Sequence, residues 1–219
     1  MSDSKNMDLT VGNPFSCLMK FAIPVIIGNL FQLFYTLADS VIVGKTLGTN
    51  ALAAVGSTSI IIYFVLCFIN GLTGGFGICL GQRCGAKDES GMRQSIASST
   101  LLSILFSVLL TVICCLSSHA LIRVMQIPQD IAAQAYDYMF VVLLGTGATV
   151  FYNAISNILR ALGDSRTPLY FLVVSSILNI FLDLLFILPC NMGVAGAAWA
   201  TILSQFISAA LSLFVGLKK

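Results

Sequence analysis

The stretch Phe21-Ala-Ile-Pro-Val-Ile-Ile-Gly-Asn-Leu-Phe-Gln-Leu-Phe-Tyr-Thr-Leu-Ala-Asp-Ser-Val-Ile-Val43 decides the class of this protein. About 20 mostly apolar residues cross the hydrocarbon core of a bilayer as a helix, and this run is long enough. It carries a carboxylate, Asp39, near its end. A second apolar run, Leu169 to Leu188, encloses another, Asp183. An ionisable side chain within a membrane span costs roughly 2.5 to 3.5 kcal/mol on insertion scales and usually serves a function. Two of them point to a protein that moves something or takes up protons.

The rest of the chain agrees with a lipid environment. Of 219 residues, 58% are hydrophobic and only 9% charged, and mean hydropathy is +0.96. Soluble domains are about 25% charged, so this little charge cannot coat a globule in water. Six runs have the length of a span: 19–43, 51–81, 95–117, 133–158, 168–188 and 193–216. Backbone groups in lipid must pair internally, which leaves helices or barrel strands. Barrel strands alternate polar and apolar over about ten residues. These runs are longer and uniformly apolar, so the predicted fold is all-α, a polytopic membrane protein with six transmembrane helices in one lobe. The first helix is expected to stay in the mature protein. Its run exceeds a signal-peptide core, carries Asp39, and precedes no convincing A-x-A site.

Other classes are disfavoured by the same residues. The net charge is +2 and the basic residues lie at loops, which argues against a nucleic-acid partner. The seven cysteines include no CxxC and no nearby histidine, and read as small hydrophobes. No metal-ligand spacing occurs, and the single histidine, His119, sits at a segment end as an interfacial residue.

Loop charges orient the chain. Lys5, Lys20, Arg83, Lys87, Arg93, Arg160, Arg166, Lys218 and Lys219 fall on one side of a six-span topology, and only Lys45 and Arg123 on the other. The positive-inside rule then puts both termini in the cytoplasm of a cell-membrane, multi-pass protein. The uncharged 189–192 connection reads as a tight outer turn, and the 119–126 stretch as a segment lying flat at the outer interface.

Small residues recur at helical spacing: Gly71 with Gly75, then Gly77, Gly81 and Gly85, and in the last run Gly193 with Ala197 and Gly196 with Ala200. Small residues four apart let backbones approach closely in lipid, so close helix packing is expected along both rows. Pro24 lacks an amide hydrogen, so a kink in the first helix is expected there.

Polar residues also align. Asn29, Gln32, Thr36 and Asp39 share one face of the first helix, and Thr146, Thr149, Asn153 and Asn157 one face of the fourth. Asn179 and Asp183 lie one turn apart in the fifth, and Thr201, Gln205 and Ser208 align in the sixth. Two readings stand side by side: a shared water-accessible cavity, or interhelical hydrogen bonds worth about 0.6 kcal/mol each on average. Asp39 and Asp183 fall at similar depth, which favours a common site. An acid pair with neighbouring amide and hydroxyl oxygens can bind a hard cation such as Na⁺. It can instead share a proton, because neighbouring like charges in a desolvated site disfavour double ionisation.

The motifs then match a family. Leu37-Ala-Asp-Ser-Val-Ile-Val-Gly44, followed by Leu47-Gly48 and Ala51-Leu-Ala-Ala-Val55, resembles the first helix and loop of the multidrug and toxic compound extrusion (MATE) family. Gly81-Gln-Arg-Cys-Gly-Ala86 is similar to the turn after its second helix, and Arg160-Ala-Leu-Gly-Asp-Ser-Arg-Thr-Pro168 to its loop between helices four and five. Leu178-Asn179, Leu182-Asp183, Met192-Gly-Val-Ala-Gly-Ala-Ala198 and Ala200-Thr201 resemble helices five and six.

The resemblance implies a membrane exporter of amphipathic organic cations and drugs, coupled to Na⁺ or H⁺, with no other cofactor and no catalytic residue. It places the cation or proton site at Asp39, Asn179, Asp183 and Thr201. Gln32, Asn153 and Asn157 match cavity positions, and Thr36 and Gln205 join them from the polar faces. Members of the family have twelve helices in two lobes. This sequence ends after six, so a fragment lacking the carboxy-terminal lobe, or a lobe pairing with a second copy, is expected.

Three other readings are weighed. A lipid or oligosaccharide flippase of the same superfamily calls for basic residues in the cavity, and the predicted spans hold none beyond Lys20 at the edge of the first. An intramembrane aspartyl protease using Asp39 and Asp183 calls for G-x-G-D, whereas Asn-Ile-Phe-Leu precedes Asp183 and the Gly163-Asp164 pair lies in a loop. A purely structural membrane subunit is the third.

Overall fold

The computed structural model of the chain describes residues 13–216. It consists of seven helices: α1 (Pro14–Leu47), α2 (Thr49–Gly85), α3 (Glu89–Val124), α4 (Gln129–Leu144), α5 (Thr146–Ala161), α6 (Arg166–Ile187) and α7 (Gly193–Gly216). Five are long and apolar enough to cross a membrane, and α4 with α5, bent by 44° at their junction, meet the same test only when taken together. Lys5, Lys218 and Lys219, used above for orientation, lie outside the described residues.

Helix ends follow local chemistry. Pro14 opens α1 beneath the Asn13 cap, whose Oδ1 accepts from the Phe15 amide at 3.0 Å. Gly48, at φ 88°, ends α1 and starts α2 without a loop. Only glycine enters that left-handed region at no cost. Asp88 caps α3 by accepting from the Gly91 amide at 2.9 Å. Asp164 caps α6, its Oδ1 accepting from the amides of Arg166 at 3.2 Å and Thr167 at 3.0 Å.

Two expectations are corrected. The predicted 133–158 span is not one helix. At Gly145 the carbonyl is shared between the amides of Ala148 at 3.0 Å and Thr149 at 3.4 Å. Thr146 Oγ1 donates to the Leu143 carbonyl at 2.6 Å. The Ile202 side chain of α7 occupies the space a Cβ on residue 145 would need. The 119–126 stretch does not lie flat as a separate segment either. Residues 119–124 continue α3, so its hydrogen-bond ladder runs on without a break.

The broken span is central. α2 packs on both α4 and α5, α7 on both from another side, and α3 on both from a third. α6 packs on α7, and α1 on α6. The interior is made of small residues: Ala51, Ala54, Ala135, Ala154, Ala197, Ala198 and Ala200 are buried, with Ser103, Ser204 and Ser208. Large apolar side chains such as Phe34, Phe64, Leu116 and Phe206 point outward. Lipid tails are as apolar as leucine, so burying a large side chain gains little and close backbone approach decides the interior.

The two small-residue rows behave differently. On α7, a Cβ on Gly196 would meet Phe186 Cβ at 3.1 Å, and Ala197 and Ala200 are fully buried, as expected, whereas Gly193 faces open space. On α2 the expectation of close packing fails for Gly71, Gly75, Gly81 and Gly85, which face open space. At Gly77 alone in that row a Cβ would meet a neighbouring helix, 3.3 Å from Asn157 of α5. The helix rotation that buries Thr73 and Leu80 turns the rest of the row outward.

Candidate functional site

Three helices converge on two acids. Asp39 on α1 is 8% exposed, and Asn179 and Asp183 on α6 are fully buried. The carboxyl groups of Asp39 and Asp183 are close neighbours that influence one another electrostatically. Two carboxylates cannot hydrogen-bond unless one carries a proton. A shared proton, or a cation between the oxygens, would relieve the repulsion between two such neighbours in a desolvated site.

α7 completes the surround. With the Asn179 amide oriented to suit its neighbours, its nitrogen donates to Asp183 Oδ2 at 3.2 Å and its oxygen accepts from the Thr201 amide at 3.2 Å. Thr201 Oγ1 donates to the Ala197 carbonyl at 3.1 Å. One oxygen of each acid, Oδ1 of Asp39 and Oδ1 of Asp183, is buried with no hydrogen-bond partner among the described residues. Carboxylate, amide and hydroxyl oxygens form a hard donor set that suits Na⁺. Buried orphan acceptors equally suit a proton. The four residues expected to form the cation site, Asp39, Asn179, Asp183 and Thr201, are thus brought together.

Two tyrosines that the sequence reading missed stand beside them. Tyr35 lies one turn before Asp39 on α1, beside Thr201 and within electrostatic reach of both acids. Tyr138 on α4 also faces Asp39 and Asp183. The four-residue spacing of Tyr35 from Asp39 is a signal that could have found it. Nothing local marks Tyr138.

The expected cavity residues divide into two groups. Gln32 and Thr36 stay on the exposed face of α1, and Thr36 Oγ1 donates back to the Gln32 carbonyl at 2.9 Å. Asn153, Asn157 and Gln205 are half-buried and engaged. Asn153 donates to the Thr149 carbonyl at 2.9 Å, and Thr149 Oγ1 to Gln205 Oε1 at 2.7 Å, joining α5 to α7. Asn157 donates to Thr73 Oγ1 at 3.1 Å, joining α5 to α2. Asn157 and Gln205 thus make hydrogen bonds between helices. The helices also run past the predicted spans and take in a basic residue on the polar face of α5. Arg160 is half-buried, and its Nε has no partner among the described residues.

Comparison with known proteins gives concordant results. The sequence profile of the MatE family matches residues 24–185. The chain is 37% identical over 214 residues to the probable multidrug resistance protein YpnP of Bacillus subtilis, covering 98% of this chain and 48% of that protein. It is 30% identical over 206 residues to the probable multidrug resistance protein NorM of Thermotoga maritima, covering 92% of this chain and 44% of that protein. The fold superposes on a transporter of the MOP superfamily from Pyrococcus furiosus with a TM-score of 0.90 at 32% identity, over 98% of this chain and 47% of that one. The chain thus spans about half the length of the relatives it matches.

Proposed function

We propose that this chain, which belongs to the MatE family of membrane transporters, works as the amino-terminal lobe of a cation-coupled exporter of amphipathic organic cations. The observation that carries this reading is the buried contact between Asp39 and Asp183, closed by Asn179 and Thr201. Membership in a family of transporters sets aside the protease reading.

The coupling chemistry follows from the site. Occupancy by Na⁺ or H⁺ removes the repulsion between the two acids and draws α1 against α6. Loss of the cation leaves two like charges in a desolvated site, which favours separation of α1 from α6. Asn179 holds Asp183 in place, and Thr201 ties the pair to α7. Substrate then meets the exposed polar face of α1, Gln32 and Thr36, together with Asn153, Asn157 and Gln205 behind it. The second lobe, in one chain or as a second copy, would close the cavity on the open side. Both termini face the cytoplasm of a bacterial-type cell membrane, in keeping with the loop charges.

The test is ethidium efflux from drug-sensitive cells expressing the chain alone, and expressing it joined to the second lobe of a relative. Asp39→Asn and Asp183→Asn accompany each. Efflux that both substitutions abolish, with insertion intact, is expected in the two-lobe form. Undiminished efflux by Asp183→Asn would overturn the assignment. Orientation is read by labelling Cys190, in the α6–α7 turn, with an impermeant maleimide after the other cysteines are replaced. Labelling from outside the cell is expected.

A further inference from the structure

A groove of about 300 Å³ runs between α2 and α3, away from the acid pair. Its walls are Phe76, Cys79 and Arg83 on α2, and Gly91, Gln94, Ser95, Ser98, Ser99 and Leu102 on α3. From Phe76 to Arg83 it follows α2 for about 10 Å, and from Gly91 to Leu102 it follows α3 for about 16 Å, at 1.5 Å per residue. Its polarity is graded. The deep end is apolar, Phe76 with Leu102, and opens beside Ile78, Leu101 and Leu105, which are 65%, 69% and 59% exposed and face the hydrocarbon. The middle is hydroxyl-rich. Ser99 is 6% exposed, lines the groove, and takes no hydrogen bond within the described residues.

The outer end is cationic. Arg83 sits at the mouth, with Lys87 and Arg93, and the acids Asp88 and Glu89, nearby in sequence. Asp88 is already engaged: Oδ1 accepts from the Gly91 amide and the Ser90 hydroxyl, both at 2.9 Å, and Oδ2 from Arg83 at 3.1 Å. Arg83 uses one of its five donors there, and its side chain remains 57% exposed. An exposed ion pair of that kind is worth little, so the guanidinium is free to take a second oxyanion.

We propose that this groove binds an anionic phospholipid: Arg83 takes the phosphate, Gln94, Ser95, Ser98 and Ser99 the glycerol and ester oxygens, and Phe76 with Leu102 the first acyl carbons. Charge complementarity selects the occupant. A cation at the headgroup end of two spans, above hydroxyls and then an apolar floor, repeats the order of groups along such a lipid. A soluble phosphate matches only the mouth.

Native mass spectrometry of the purified chain, from micelles holding equal amounts of phosphatidylglycerol and phosphatidylcholine, tests this. A phosphatidylglycerol adduct in clear excess is expected. Arg83→Gln should reduce that excess about tenfold, the loss of one charge-assisted hydrogen bond, and Arg83→Lys should retain part of it. Ser99→Leu, which fills the groove without altering charge, should displace the lipid, and Arg123→Gln on α3, far from the groove, should change nothing. Circular dichroism confirms that each variant is folded. Equal adducts of the two lipids, a preference unaltered by Arg83→Gln, or displacement by inorganic phosphate at the lipid's own concentration would overturn the proposal.

Discussion

Replacing Gly145 by alanine isolates the feature that sets this lobe apart from six straight helices. Residue 145 has φ −78°, a conformation alanine adopts freely. Helix propensity alone therefore favours the substitution by up to about 1 kcal/mol. Packing opposes it. The new methyl would fall on Cγ1 and Cδ1 of Ile202, with Cγ2 at 3.0 Å. Overfilling a packed site costs about 1 to 3 kcal/mol, so the net expectation is a loss of about 1 to 2 kcal/mol. Ile202→Ala opens the notch, so the cost of Gly145→Ala should vanish in that background. The double-mutant cycle, in which the propensity gain cancels, should then return a coupling energy of about 1 to 3 kcal/mol. Unfolding of the purified protein in mixed micelles, followed by loss of helicity, measures all four corners. A Gly145→Ala protein as stable as the parent, or strictly additive single changes, would refute the claim that Ile202 holds the break open.

Three further outcomes are expected. Asn157→Leu and Thr73→Val each remove one side of the α5–α2 hydrogen bond, and a cycle between them should give a coupling near 0.6 kcal/mol; zero coupling would show that the bond adds no stability. Tyr35→Phe removes the hydroxyl beside Thr201 and the acid pair and should slow efflux in a two-lobe transporter while leaving stability within about 1.5 kcal/mol; unchanged efflux would make Tyr35 a packing residue only. The Gly91 amide, then the Ser90 hydroxyl and Arg83, hold Asp88 below the ordinary carboxylate range. A depressed acid stabilises the fold above its unfolded pKa and loses that contribution as pH falls through the folded value. Asp88→Asn should therefore flatten the acid limb of a stability–pH curve, and an unchanged limb would show that the cap is inert.

Much of the candidate site was legible because ionisable residues in spans are expensive. Asp39 and Asp183 stand out against their apolar surroundings without any structural help, and the one-turn spacing of Asn179 from Asp183 puts both on one face. Thr201 came from the family motif. Tyr138 did not register, because a tyrosine in an apolar span is unremarkable until α4 is seen against α1. The α2 glycines misled for a related reason. Spacing shows that small residues share a face but not which way the face turns, and the face of Thr73 and Leu80 is the one that packs.

What the sequence determined by itself is the solvent and the number of crossings. Hydropathy over a window of 20 or so residues is a one-dimensional quantity, and the bilayer thickness converts it directly into spans. The cost of burying charge is likewise local, so the acids mark themselves. Tertiary structure alone decided the rest: the break at Gly145, the approach of Asp39 to Asp183, the pairing of Asn157 with Thr73, and the groove beneath Arg83. Each depends on how neighbouring helices are rotated about their axes. In lipid that rotation follows from close packing of small residues and a few hydrogen bonds, not from any pattern along a single helix.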